Sequence, residues 1–171
     1  MTLSLKNEGD LLYLLGKNVS DIACSEYLYS YHQQKASPAP YFDLEEEFQL
    51  HKVIGEMIHQ GYLSAVHDIS DGGLFTTLAE SAMAGGFGFT INSPSDIRKD
   101  AFLFGEAQGR AMVSLSPSQQ ERVEKHLETA NVPYLLMGKV TTGDLVVDKT
   151  SLMSLAEASK VYESALGQQL G

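Results

Sequence analysis

The sequence predicts an α+β fold, a mixed β-sheet covered by helices. Three observations predict it. Short apolar runs of strand length alternate along the chain with longer segments whose apolar residues recur every three or four positions. Several connections between these segments are short, so not every strand pair can be assigned as parallel. With 171 residues, 43% of them hydrophobic, the chain can bury a core of its own, and residues 1–171 read as one domain.

Taken in order, Leu11 to Leu15 is a short apolar run closed by Gly16 and reads as a buried strand. Ser25-Glu26-Tyr27-Leu28 is a helix start with Ser25 as N-cap. Pro38 and Pro40, with small residues between them, make 35–42 an extended connector. Asp43 then caps a long helix. In it Leu50, Val53, Ile54, Met57 and Ile58 form the apolar stripe, Glu45 to Glu47 face the positive end, and Gly61 is the stop.

Leu63 to Val66 is the next strand, followed by a loop and a helix from about Gly73 to Ala84. In that helix Leu74, Phe75, Leu78, Ala79, Ala82 and Met83 cover the apolar arc, which leaves Glu80 on the solvated side. Phe87 to Ile91 and Arg110 to Leu115 alternate as strands do, with a Gly105 to Gly109 turn before the second. Ser116-Pro117 opens another helix, with Val123, Leu127 and Ala130 inward. Tyr134 to Met137 and Leu145 to Val147 are short strands, and Ser154 to Leu166 is a last helix.

Composition removes several classes of function. A formal charge of −10 and a pI near 4.8 leave no basic surface for a phosphate backbone, so nucleic acid is not an expected partner. Cys24 is the only cysteine, which rules out an internal disulfide and any cysteine-based zinc site and fits a cytoplasmic setting. No run approaches the roughly 20 apolar residues of a membrane span, and the start of the chain lacks a signal core.

The chemistry concentrates in His67-Asp68-Ile69-Ser70-Asp71-Gly72-Gly73, set between a strand and a helix. A turn through Gly72 and Gly73 offers backbone N–H groups beside a helix N-terminus, which favours anions. Asp68 and Asp71 place two carboxylates in the same spot, and these repel a bare phosphate. A divalent cation resolves the conflict, because magnesium is held by one or two carboxylates and completes its octahedron with water and phosphate oxygens. The same residues also suit a plain turn in which Ser70 or Asp71 caps the helix and the glycines only permit the bend. A second candidate is Glu106, Gln108 and Arg110, either gripping a ligand or pairing with one another as surface charges. His51 and His59 lie eight apart with no metal-binding partner between them, and His67 suits a structural hydrogen bond better than base chemistry.

Together His67 to Leu74, Leu78-Ala79-Glu80, Ala84-Gly85-Gly86, Leu103 to Arg110 and Met137 to Asp144, with Ser25-Glu26-Tyr27 ahead of them, resemble the C-terminal, AIR-synthase-like domain of phosphoribosylformylglycinamidine synthase. The resemblance runs from Gly9-Asp10 to the last helix. It implies an AIR synthase C-terminal-domain-like fold and an enzyme of purine biosynthesis. That enzyme uses ATP, magnesium and glutamine-derived ammonia to turn an amide of its ribonucleotide substrate into an amidine, through a phosphorylated amide oxygen. It further implies that this chain is the last of four synthetase domains and that its loop serves an auxiliary site holding ATP or ADP.

In that site the resemblance makes Asp68 the first magnesium ligand and Asp71 the second. Ser70, Gly72 and Gly73 would stand beside the nucleotide, with Glu106, Gln108 and Arg110 facing it, and none of these residues is catalytic. Ala107, where the family often has serine, and Cys24 depart from the pattern. The implied partners are the remaining synthetase domains, a glutaminase domain or subunit and a small bridging subunit. The chain alone is expected to be inactive and, with its docking face bare, to self-associate. Two other readings stand beside this one. Thiamine-monophosphate kinase, selenophosphate synthetase and the hydrogenase maturation protein share the superfamily but fit Ser25 to Tyr27 and Leu103 to Arg110 less well, and a noncatalytic docking module would bind nothing.

Overall fold

The structure, a computed structural model, describes residues 1–170. Seven strands form one mixed sheet: β1 (Leu11–Gly16), β2 (Ala65–Asp68), β3 (Gly88–Ile91), β4 (Arg110–Leu115), β5 (Tyr134–Thr141), β6 (Leu145–Val147) and β7 (Thr150–Met153). Their order is β2-β4-β1-β5-β3-β6-β7. β3 and β6 pair parallel, and the other neighbours are antiparallel. The expectation of a helix-covered mixed sheet is met.

Five helices cover it: α1 (Leu44–His59), α2 (Gly73–Gly85), α3 (Lys99–Phe104), α4 (Gln120–Thr129) and α5 (Leu155–Leu170). Because side chains alternate across a strand, β1 divides the interior in two. Leu12 and Leu14 enter a core with Leu74 and Leu78 of α2 and Phe102 of α3. Tyr13 and Leu15 enter another with Val53 and Met57 of α1 and Val123 and Leu127 of α4.

The long helix begins as its sequence predicts, with the Asp43 carboxylate accepting from the N–H groups of Glu45 and Glu46. Several elements differ from expectation. The helix expected at Ser25 is a single π-helical turn at Tyr27–Tyr31 with Glu26 at its N-cap, and the Ser25 hydroxyl just before it accepts from Leu28 N. Ser116-Pro117 opens a 3-10 turn, Pro117–Gln119, before α4 starts. β2 begins two residues later than Leu63 and runs on through His67 and Asp68, because those residues pair with Met112 and Ala111 of β4. α3 and β7 were not expected at all. Six residues are too few to show helical periodicity. The β6–β7 turn is made by Asp148 and Lys149 in the left-handed region, without the glycine that usually marks such a turn.

Candidate functional site

The aspartate loop hangs between β2 and α2 and is fixed at both ends. Ile69 is buried and donates its N–H to the carbonyl of Arg110. At the other end Gly73 N–H donates to Ser70 O, and Gly72 and Gly73 both take left-handed φ values, 83° and 71°. Only glycine fits at the second position: a Cβ on Gly73 would sit 2.8 Å from backbone atoms of Phe104 and Gly105. Thr77 closes the helix start from inside, its hydroxyl donating to Gly73 O and Asp68 O.

Glu106 holds this loop from the side. Its Oε1 accepts from Gly72 N and from Glu26 N, each at 2.8 Å. Arg110 is 4% exposed, and its guanidinium donates to Gly105 O at 2.6 Å and Ala107 O at 3.1 Å. Burial lowers its pKa to about 10, against the opposing influence of Asp21. The local pair expected between Arg110 and Glu106 does not form, because each side chain is bound to backbone groups instead.

Two further expectations are corrected. Neither Ser70 nor Asp71 caps α2: the N-cap is Gly72, with no side-chain bond. The amides of Gly72 and Gly73 are not free for an anion either, since Glu106 and Ser70 O already accept from them. What the loop does present is carboxylate. Asp68 has a side chain 81% exposed, Ser70 and Asp71 are exposed as well, and among the described residues the side chains of Ser70 and Asp71 make no hydrogen bond or ion pair.

His67 makes the hydrogen bond expected of it. Its Nδ1 lies 2.7 Å from Asp68 O, and its Nε2 lies 3.4 Å from Glu80, which is therefore engaged rather than simply solvated. The structure brings Asp68, Gln108 and Arg110 together along a groove of about 630 Å³ beneath α1, walled also by Leu50 and Ile54. Ser70, Asp71, Gly72, Gly73 and Glu106 do not line that groove. Sequence reasoning missed the tie from Glu106 to Glu26, and no local signal could have shown a bond between residues 80 positions apart.

No cluster of three or more His, Cys, Asp or Glu side chains able to hold a metal ion exists among the described residues. The exposed carboxylates that this loop offers a cation are Asp68 and Asp71, and other donors would complete its shell. That suits magnesium, which keeps several waters and phosphate oxygens, better than a cation needing a full protein cage. Among the described residues, no helix is long and apolar enough to cross a membrane.

Residues 7–149 match the family described as AIR synthase related protein, C-terminal domain. The chain belongs to this family. One relative of this AIR synthase related domain is the phosphoribosylformylglycinamidine synthase subunit PurL of Alkaliphilus metalliredigens (strain QYMF), 32% identical over 169 residues, 96% of this chain and 23% of the relative. Another, of the same description, from Salinibacter ruber (strain DSM 13855 / M31), is 39% identical over 173 residues, 95% of this chain and 23% of the relative. The domain thus spans 23% of the length of these curated relatives.

Among solved structures, T. maritima PurL complexed with FGAR has the same fold, with a TM-score of 0.78 at 16% identity over 93% of this chain and 29% of that chain. T. maritima PurL complexed with ATP gives 0.72 at 15% identity over 93% and 27%. PurLQS from Thermotoga maritima gives 0.67 at 16% identity over 88% and 26%.

Proposed function

We propose that this chain is the C-terminal AIR synthase related domain of an ATP-dependent phosphoribosylformylglycinamidine synthase, a cytoplasmic ligase of purine biosynthesis. In this reading residues 1–171 form one domain, with 35–42 as its internal connector. The observation that carries it is the alignment of nearly the whole chain with PurL subunits at 32% and 39% identity. The domain's contribution is half of an auxiliary magnesium–nucleotide site and a surface on which the other synthetase domains assemble. The further partners in this reading are a glutaminase domain or subunit and a small bridging subunit, and the solved PurLQS structure that shares the fold supports assembly with other subunits.

The loop geometry suits that task. Asp68 and, second, Asp71 would hold the magnesium of ATP or ADP, whose positive charge offsets the phosphates. Both carboxylates are exposed and neither is used in capping. Ser70 stands between them, and exposed Gln108 lines the groove on the Asp68 side. Glu106, Arg110, Gly72 and Gly73 keep the loop in shape. Thermal melting in the presence of the remaining synthetase domains tests the site, because a ligand that binds the folded form raises the transition. ADP with magnesium is expected to raise the Tm of the assembly, and Asp68→Asn to remove most of the rise. An assembly whose melting ADP and magnesium leave unchanged overturns the reading.

A further inference from the structure

One carboxylate oxygen holds two distant pieces of backbone. Oε1 of Glu106 accepts from Gly72 N, 34 positions away, and from Glu26 N, 80 positions away. Both bonds are charge-assisted and therefore stronger than neutral ones. Residues on either side of the carboxylate are fixed as well, since buried Arg110 donates to the carbonyls of Gly105 and Ala107.

Each segment held by Glu106 also packs against Phe104, on the segment that carries Glu106. Tyr27 stacks on Phe104, with centroids 5.1 Å apart and planes 21° apart, and Tyr31 stacks on Tyr27 at 5.3 Å. Gly73 is packed against the backbone of Phe104 and Gly105 without room for a methyl group. The turn at Tyr27–Tyr31 carries Tyr31, 74% exposed, so the linked assembly reaches from the aspartate loop to a second part of the surface.

We propose that Glu106 is a positioning residue that couples the aspartate loop to the tyrosine-bearing turn at Tyr27–Tyr31, so that occupation of one is felt at the other. The coupling belongs to the chain itself. Only the identity of the occupant, a magnesium-bound nucleotide, rests on the function proposed above.

Amide hydrogen exchange on the full chain without ligand is the primary test. Glu106→Ala is expected to raise exchange at Gly72 and Glu26 together by about ten-fold or more, the effect of losing a bond to a charged acceptor. Glu106→Gln keeps an amide oxygen with two lone pairs and is expected to restore protection at both sites. Should the alanine variant fail to fold, Glu106→Asp replaces it, since drawing the carboxylate back by one methylene breaks the same pair of bonds. Faster exchange at only one amide, or at neither, overturns the coupling, as does a failure of glutamine to restore it. Adding ADP and magnesium to the chain assembled with the remaining synthetase domains separates the two proposals. A change at Gly72 in the wild-type chain that spreads to Glu26, and no longer spreads in the alanine variant, supports the coupling. Spread that persists in that variant overturns it. If the nucleotide alters no amide of the wild-type chain, the nucleotide reading fails and the ligand-free comparison still decides the coupling.

Discussion

Gly73 shows how much one position can carry. Its left-handed φ disfavours a side chain and its contact with Phe104 and Gly105 leaves no room for one, and relieving that contact would part the start of α2 from the end of α3. Gly73→Ala is therefore expected to destabilise the chain by about 2 kcal/mol, the sum of a strained φ and a backbone clash. A shift of the urea midpoint at unchanged slope measures this. The loop was legible in the sequence as a place, because Asp, Ser and Gly between a strand and a helix mark a turn. Its internal bonds were not. Nothing near Gly72 in the sequence says that its N–H is held by Glu106, and nothing near Arg110 says that its charge faces carbonyls rather than a carboxylate. Such bonds are made by tertiary approach, and residue type alone fixes only what each group is able to donate or accept.

At the scale of elements, legibility follows length and pattern. α1 is readable because sixteen residues carry a full apolar stripe and a capping aspartate. α3 and the β6–β7 hairpin are not, and the structure holds them by a different device. Asp148, in the hairpin turn, accepts from Ser93 N and Ser93 Oγ and pairs with Lys99 at the start of α3 at 2.8 Å. The Lys99 ammonium, then the Ser93 bonds, hold the Asp148 pKa down at about 2. A carboxylate whose folded pKa lies below its unfolded value adds stability that is present above the unfolded value, near 4, and is lost as pH falls toward 2. Asp148→Asn is accordingly expected to lower the melting temperature at pH 6, and the gap from wild type is expected to close as pH is taken from 4 to 2. A gap that stays constant across that range would show that the charge of Asp148 is irrelevant to the hairpin.

For the whole molecule, the sequence was sufficient for the class of fold and for the family, because alternating apolar patterns and several ordered motifs survive without any knowledge of contacts. The strand order was beyond it. β1 lies between β4 and β5, far downstream, and no local pattern encodes that choice. Function at this scale follows from extent: a chain covering 23% of its PurL relatives has exposed carboxylates at one loop and no set of side chains for a complete metal site among the described residues. Purified alone, it is expected to show no turnover of formylglycinamide ribonucleotide with ATP, magnesium and ammonia. Turnover by the pure chain would assign it a self-sufficient active centre.

The central position of β1 has a last consequence, for the history of each molecule rather than its finished form. Leu11 pairs with Leu115 on one side and Lys139 on the other, so a ribosome must deliver β4 and β5 before β1 can find its neighbours. Until then an apolar ribbon waits with both edges bare, and long-range pairing of this kind is slow and open to wrong partners.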